Sequence, residues 1–207
     1  SGLSTASSFA DNFTDIFSSQ KSQNLDIIDI IPKNTTHLFA ISFNNQKKIY
    51  DNKNKLLQNK KKYFNWNKYK KWIEENKNVN YDEFVNELDN EAGIFNTSTN
   101  LSAENTYTYF NTKESIRASS LLQNMINSSS EYRGFRINKI IDKNIVSNFF
   151  GELFKTNNPF FTTINDYFIF GNSIASIEYI IDNYTSKNNL STAISTSDEI
   201  PPQVIMV

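Results

Sequence analysis

The sequence predicts an α+β fold, in which an antiparallel-rich sheet carries helices mainly on one face. Strand-like and helix-like segments alternate along the 207 residues, which favours a mixed sheet-and-helix domain. Asn165-Asp166 separates two short apolar runs, and such a two-residue connection is typical of a tight antiparallel hairpin. The 17 Phe and 10 Tyr supply the apolar material for a sizeable core.

The chain divides into three parts by composition. Residues 1–24 are Ser-rich and are expected to be a polar N-terminal segment or linker. Residues 25–190 carry the apolar periodicities and form the α+β domain, with halves at about 25–127 and 131–190 around the hinge Ser128-Ser129-Ser130. Residues 191–207 are expected to be an extended tail.

The elements of the first half follow from hydrophobic period and from turn residues. Residues 46–78 are expected to be helical, since Trp66, Tyr69 and Ile73 recur on one helical face. The other predicted elements are strands at 38–43, 91–98 and 106–111, a short helix capped by Asp82, and a helix over 113–127. The order across 38–141 matches a split β-α-β-β-α-β pattern, which suggests two related β-α halves.

The second half repeats the alternation. Its predicted elements are a strand at 132–141, a helix at 144–155, a hairpin of strands at 160–164 and 167–171, and a helix capped by Ser173. Phe followed closely by Asn ends a strand three times, at Phe43, Phe110 and Phe170, which favours a duplicated strand–helix unit. Because Phe and Asn are both abundant, chance explains this spacing equally well.

Residues with catalytic or metal-binding chemistry are sparse. The chain has no cysteine, one histidine (His37) and five glycines, too widely spaced for a phosphate-binding loop. A lone histidine lacks the partners that a catalytic triad or a zinc site needs. Glu87 and Glu91 could form an acid/base pair, but their place near an expected helix end favours capping or solvated roles. We therefore expect no enzyme activity, no cofactor and no metal.

One segment has a marked charge. Residues 46–78 carry 11 lysines against three acidic residues, a net charge of +8, interleaved with aromatic side chains. Lysines and aromatic rings together can bind a single-stranded nucleic acid or another anionic polymer. The alternative is a helix that buries its aromatic stripe and solvates its lysines, with Trp66 and Trp72 both mostly buried. The candidate patch for an anionic ligand is Lys60, Lys61, Lys62, Lys68, Lys70 and Lys71.

The tail ends in an apolar run that follows Ile200-Pro201-Pro202. The double proline favours an extended chain, and an exposed apolar strand is a liability unless it pairs with a sheet. This run is a candidate partner-contact segment, although it could equally complete the sheet of its own domain. Its residues are Val204, Ile205, Met206 and Val207.

Several motifs lie along the domain: Ile31-Pro32-Lys33-Asn34-Thr35, the segments 151–154 and 158–164, the hairpin and Asn-Ser of 167–173, and the helix 177–184 ending near Asp-Asn-Tyr. Together they resemble a family of flavobacterial cell-envelope proteins that is known only as a domain of unknown function. The resemblance covers roughly residues 25–190. It implies an exported protein of the periplasm or cell envelope, and its structural motifs transfer no catalytic residue.

The expected function is thus a non-enzymatic cell-envelope domain that acts through protein–protein contacts, as a subunit or fragment of a larger assembly. The alternative is a binding module for an anionic polymer, nucleic acid or polysaccharide, through residues 46–78. A protein partner is expected and a nucleic acid is not, because the segment has no arginine with its bidentate geometry. No apolar run approaches the length of a membrane span.

Overall fold

A computed structural model describes residues 13–17, 20–21, 24–100, 102–196 and 203–206. Within these residues the chain forms seven α helices and eight strands, and the strands make up one sheet. The helices are α1 (Gln46–Asn59), α2 (Tyr63–Lys77), α3 (Tyr81–Glu87), α4 (Ser115–Leu121), α5 (Ile145–Phe150), α6 (Ile174–Thr185) and α7 (Leu190–Thr196). The strands are β1 (His37–Ser42), β2 (Leu88–Asn96), β3 (Thr106–Thr112), β4 (Ile126–Tyr132), β5 (Phe135–Ile140), β6 (Phe160–Ile164), β7 (Tyr167–Gly171) and β8 (Gln203–Met206).

The sheet consists of two antiparallel meanders joined at one seam. Its strand order is β4-β5-β6-β7-β3-β2-β1-β8, so β1–β3 and β4–β7 are each neighbours in sequence order and β3 pairs with β7 across the seam. All neighbouring strands are antiparallel except β1 and β8. The predicted antiparallel-rich sheet is confirmed.

Helices cover both faces of the sheet unequally. On one face α1–α5 pack against alternate strand residues, among them Ile41, Phe110 and Phe168. On the other face α6, α7 and the 3₁₀ turn Asp26–Asp29 pack against the intervening residues, including Tyr109 and Ile169. The helices thus lie mainly on one face, as predicted from the alternation of elements.

The β6–β7 hairpin agrees with its prediction in both bounds and turn. Asn165 has φ 53°, a left-handed conformation that Asn tolerates better than most residues. After β7, Ser173 accepts a hydrogen bond from the Ser176 backbone N–H at 3.1 Å, and the Ser176 side chain caps the Ser173 backbone in return. This capping box starts α6 where the sequence predicted a helix.

Two predictions about the organisation of the chain are wrong in detail. Ser128–Ser130 are not a hinge, since they pair with β5 within β4, and the helix before them ends at Leu121. The Arg133-Gly134 turn that connects β4 to β5 has φ 49° and 82°, a hairpin geometry that Asn-Gly more usually signals. The expected order of strands and helices is present, in a sheet where β1 and β2 are adjacent and antiparallel.

The two flanking segments contain more structure than the sequence predicted. Residues Phe13–Phe17 form a 3₁₀ turn in which Ile16 and Phe17 are buried in the core beside α1, so this part of 1–24 is not a linker. Residues Leu190–Thr196 form α7 rather than an extended tail, and Leu190 is fully buried. Apolar side chains drive both segments onto the domain.

Candidate functional site

The lysine-rich segment folds into a pair of helices that carries the candidate site. Asn45 caps α1 by accepting a hydrogen bond from the Lys48 backbone N–H at 2.8 Å, and a left-handed residue, Lys61 at φ 57°, lies in the turn to α2. α1 buries Ile49 and Leu56 on the face where Lys53 also lies, while α2 buries Trp66 and Ile73. The helical phase therefore carries one lysine into the interior.

Lys53 is the unusual residue of this pair, because its side chain is buried with only 3% exposed. Its Nζ donates a hydrogen bond to the Asn148 backbone carbonyl and lies 3.8 Å from the centre of the Trp66 ring. In the described part of the chain no carboxylate forms a salt bridge with it. Burial, and secondarily the charge of Lys70, hold the pKa of Lys53 well below its ordinary value.

A cleft of about 480 Å³ opens beside Lys53, between α1, α2 and the end of α5. A volume of this size suits a small organic ligand. Lys53 lies in its wall, and the exposed Lys60 and Lys62 line it at the turn between α1 and α2. The other lining residues are Ile16, Leu56, Leu57, Asn65, Trp66, Tyr69, Ser147, Asn148, Gly151 and Glu152.

The polar groups around the cleft are mostly satisfied. Tyr69 donates its hydroxyl proton to Asp142, which also accepts hydrogen bonds from the Asn148 side chain at 2.8 Å and the Asn144 backbone at 2.9 Å. Burial raises the pKa of Asp142 in spite of these donors. Trp66 Nε1 is the exception in the wall, since it is buried and has no acceptor among the described residues.

The six lysines of the predicted patch do not act as one surface. Lys60 and Lys62 line the cleft, with the exposed Lys61 between them in sequence. Lys70 forms a salt bridge with Asp82 at 2.7 Å, and Lys71 pairs with Glu75 at 3.6 Å. Lys68 is exposed on α2 and does not line the cleft.

Sequence reasoning did not single out Lys53, although a signal for it is present. Lys53 follows Ile49 by four residues and precedes Leu56 by three, the spacing of one apolar helix face.

The two tryptophans of α2 differ in exposure. Trp66 is 8% exposed, as predicted, whereas the prediction for Trp72 is wrong because it is 43% exposed. The ring of Trp72 lies 5.8 Å from Lys77 Nζ on the solvent side of α2.

A second buried polar cluster lies on the opposite face of the sheet. Glu91 is fully buried and accepts hydrogen bonds from the hydroxyls of Tyr109 at 2.8 Å and Tyr167 at 2.7 Å, and from the Asp26 backbone at 3.1 Å. Burial raises the pKa of Glu91, and these hydrogen bonds offset part of that effect. The cluster fastens the Asp26–Asp29 turn to the sheet.

The remaining candidates from the sequence lie apart from the cleft. Glu87 pairs with Arg117 at 3.1 Å and therefore does not face Glu91 as an acid/base partner. His37 begins β1, is exposed, and has its Nδ1 3.1 Å from Thr36 Oγ1. In the tail, β8 pairs in parallel with β1 of the same chain, and Val207 lies outside the described residues. Contact of the tail with a partner stays a prediction.

Comparison with protein-family models, with curated proteins and with solved structures finds no match to this chain. Over the described residues, no helix is both long enough and apolar enough to cross a membrane. In the same residues no cluster of three or more His, Cys, Asp or Glu side chains could hold a metal ion.

Proposed function

We propose that this chain is a non-enzymatic binding domain that takes an anionic ligand into the cleft between α1, α2 and α5. The observation that carries the proposal is the buried amine of Lys53, which lies in the cleft wall without a carboxylate partner in the described residues. Its two contacts, the Asn148 carbonyl and the Trp66 ring, carry no formal charge, so the protonated amine lacks an anionic partner. An anion bound in the cleft would supply that partner.

The charges around the cleft mouth favour the same ligand. Lys60 and Lys62 line the cleft and are exposed, and neither forms a salt bridge in the described chain. Lysines in such a position raise the local concentration of anions and speed their capture. Glu152 is the one acidic residue among the lining side chains, and it is drawn toward Lys155 at 3.7 Å.

Binding rather than catalysis is favoured by the groups that face the ligand. Asp142, a half-buried carboxylate behind the cleft-lining residues Tyr69 and Asn148, is fixed by hydrogen bonds from Tyr69, Asn144 and Asn148. A general base needs a free lone pair within reach of the proton that it removes. Asp142 is already engaged on both carboxylate oxygens, so it serves as a support for the cleft wall.

Fluorescence quenching of Trp66 tests the proposal with a probe built into the cleft. The Trp72→Phe variant leaves Trp66 as the single tryptophan. Relative to free tryptophan in the same solutions, iodide, an anion, should quench Trp66 more strongly than caesium, a cation, at equal ionic strength. Replacing Lys60 and Lys62 with Gln should reduce the iodide effect, whereas replacing the exposed Lys47 and Lys48 outside the cleft should not. Equal quenching by the two ions would overturn the proposal.

A second candidate function, contact with another protein, is favoured by the open edge of the sheet. β4 is the edge strand opposite β8, and its residues Ser128–Glu131 are exposed. An uncovered strand presents backbone groups to which a partner strand can add. The resemblance to cell-envelope proteins supports an exported location in which the chain joins a larger assembly.

Proline substitution at Ser129 tests this second candidate. Tyr132 and Phe135 close a two-residue hairpin, so alternate β4 residues starting from Tyr132 bond to β5 and Ser129 directs its N–H outward. Ser129→Pro should therefore keep the β4–β5 backbone pairing and lose only the 2.7 Å hydrogen bond from Ser129 Oγ to Asn138 Oδ1, so the melting temperature should fall slightly. Co-purification of a partner with the native protein should be abolished. Retention of the same partner by the variant would exclude the β4 edge as the contact.

A further inference from the structure

We infer that the ligand of the cleft is an elongated apolar molecule with an acid group at each end. This inference rests on the proposed function and adds the shape and chemistry of the ligand. It follows from the order of side chains along α1, where Lys53, then Leu56 and Leu57, then Lys60 all line the cleft. Two amines flank a short apolar stretch on one face of one helix.

The helix fixes the spacing of the two lysines along α1. Residues seven apart lie on nearly the same face of an α helix, two turns from each other. At 1.5 Å per residue, the backbone positions of Lys53 and Lys60 are about 10 Å apart along the axis. A ligand with acid groups separated by about that length can engage both lysines when their side chains extend in parallel.

The two ends of the cleft differ in exposure. Lys53 has 3% of its surface exposed, so only the end of a narrow ligand can reach this part of the lining, which is here called the floor of the cleft. Lys60 and Lys62 are exposed and form the mouth. A polymer whose charges are distributed along its length could contact the mouth but could not bring a charge to the floor. An acid group at the end of a narrow ligand can reach Lys53 without this restriction.

The wall between floor and mouth is apolar on several sides. Leu56 and Ile16 are buried, and Leu57 packs against the same core from α1. Trp66 contributes an indole from α2, across from these residues. Apolar ligand surface transferred from water to such a wall is stabilised in proportion to its area. A ligand that was charged throughout would lose its hydration here without compensation.

Calorimetric titration with three simple acids tests this inference. Decanedioate has the required length and two acid ends, decanoate lacks the second acid, and butanedioate lacks the length. Decanedioate should bind most tightly, and each missing feature should weaken binding by about tenfold or more, since a charged hydrogen bond contributes about 1.5–3 kcal/mol.

Variants at the two ends of the cleft measure how much Lys53, and the pair Lys60 and Lys62, each contribute to binding of the acids. Lys53→Met should weaken decanedioate and decanoate alike, whereas the Lys60→Gln/Lys62→Gln pair should weaken decanedioate alone. Lys47→Gln/Lys48→Gln is the matched control at the far end of α1 and should change neither affinity. If Lys53→Met fails to fold, Leu57→Trp offers a second test, because the larger side chain should fill the cleft and weaken all three acids.

The outcomes distinguish this inference from the proposed function. Equal affinities for butanedioate and decanedioate would overturn the elongated shape, and equal affinities for decanoate and decanedioate would overturn the second acid. If none of the acids binds while iodide still quenches Trp66 in preference to caesium, the ligand class is wrong and the anion site stands. Loss of the iodide preference overturns the proposed function itself.

Discussion

Replacing Gly93 with alanine should lower the free energy of unfolding of this domain more than an ordinary strand substitution does. Gly93 lies in β2 directly opposite Tyr109 of β3, and the Tyr109 ring crosses over it. A Cβ atom at Gly93 would lie 2.5 Å from both the Cζ and the hydroxyl oxygen of Tyr109. Carbon atoms that are not bonded prefer separations of about 3.5–4.0 Å, so one of the two residues must move.

The surroundings of Tyr109 determine how much that movement costs. The ring is fully buried between Phe95, at 6.3 Å between centroids, and Tyr167, at 6.1 Å. Its hydroxyl donates to Glu91 at 2.8 Å. Overpacking costs about 1–3 kcal/mol. A lost hydrogen bond to a charged group adds about 1.5–3 kcal/mol. We therefore expect Gly93→Ala to lower the free energy of unfolding by about 3–5 kcal/mol.

Urea unfolding followed by far-ultraviolet circular dichroism measures this loss. Tyr109→Phe is the matched control, because it removes the hydrogen bond and leaves the ring in place, at a cost of about 1.5–3 kcal/mol. Gly93→Ala should cost more than this control. A loss below about 1 kcal/mol for Gly93→Ala, within the range of ordinary substitutions, would refute the close packing of Tyr109 over β2.

Three further predictions concern the two tryptophans and the buried ionisable groups. Trp66→Ala should cost about 3–5 kcal/mol in urea unfolding and Trp72→Ala less than about 1 kcal/mol, because only Trp66 is buried; equal losses would contradict this difference. Because burial lowers the pKa of Lys53, the unfolded chain binds its proton more readily, so stability should rise with pH toward the ordinary value of 10.5. Lys53→Met should flatten this rise in urea midpoints measured from neutral to alkaline pH, and an unchanged slope would show that Lys53 titrates normally. The pKa of Glu91 is raised above 4.5, so stability should fall as pH increases from 4.5 through the raised value. Glu91→Gln should remove that fall when urea unfolding is measured across the acidic pH range. A variant with the wild-type pH profile would assign the effect to another group.

Local signals in the sequence predicted those parts of the fold that local interactions determine. The β6–β7 hairpin is specified by Asn165-Asp166 and its flanking apolar runs, and α6 by the cap at Ser173. β4 was missed because its Ser-rich sequence has no apolar alternation, and its pairing with β5 depends on an Arg133-Gly134 turn that few sequence rules include. Backbone pairing with a neighbour determines such a strand more than its own propensity.

Only one wall of the candidate site could be predicted from the sequence, because the other wall depends on tertiary packing. The lysine-rich segment and its helical phase are evident, but a cleft needs a second wall. That wall includes Asn148 and Gly151, which lie far along the chain and reach α1 only in the folded domain. The exposure of Trp72 has the same origin, since tertiary packing decides how much of an apolar helix face is covered.

The seam between β3 and β7 has a consequence for the time course of folding. Within β4–β7 each strand pairs with its neighbour in sequence, so these strands can pair with little loss of chain entropy. The pairing of Thr108 with Phe170 joins residues that are far apart in the chain, and so does the pairing of β1 with β2 across α1–α3. Such non-local contacts are slow to form. We therefore expect β4–β7 to pair early in folding and the seam to close later, with the β7 edge exposed in the interval.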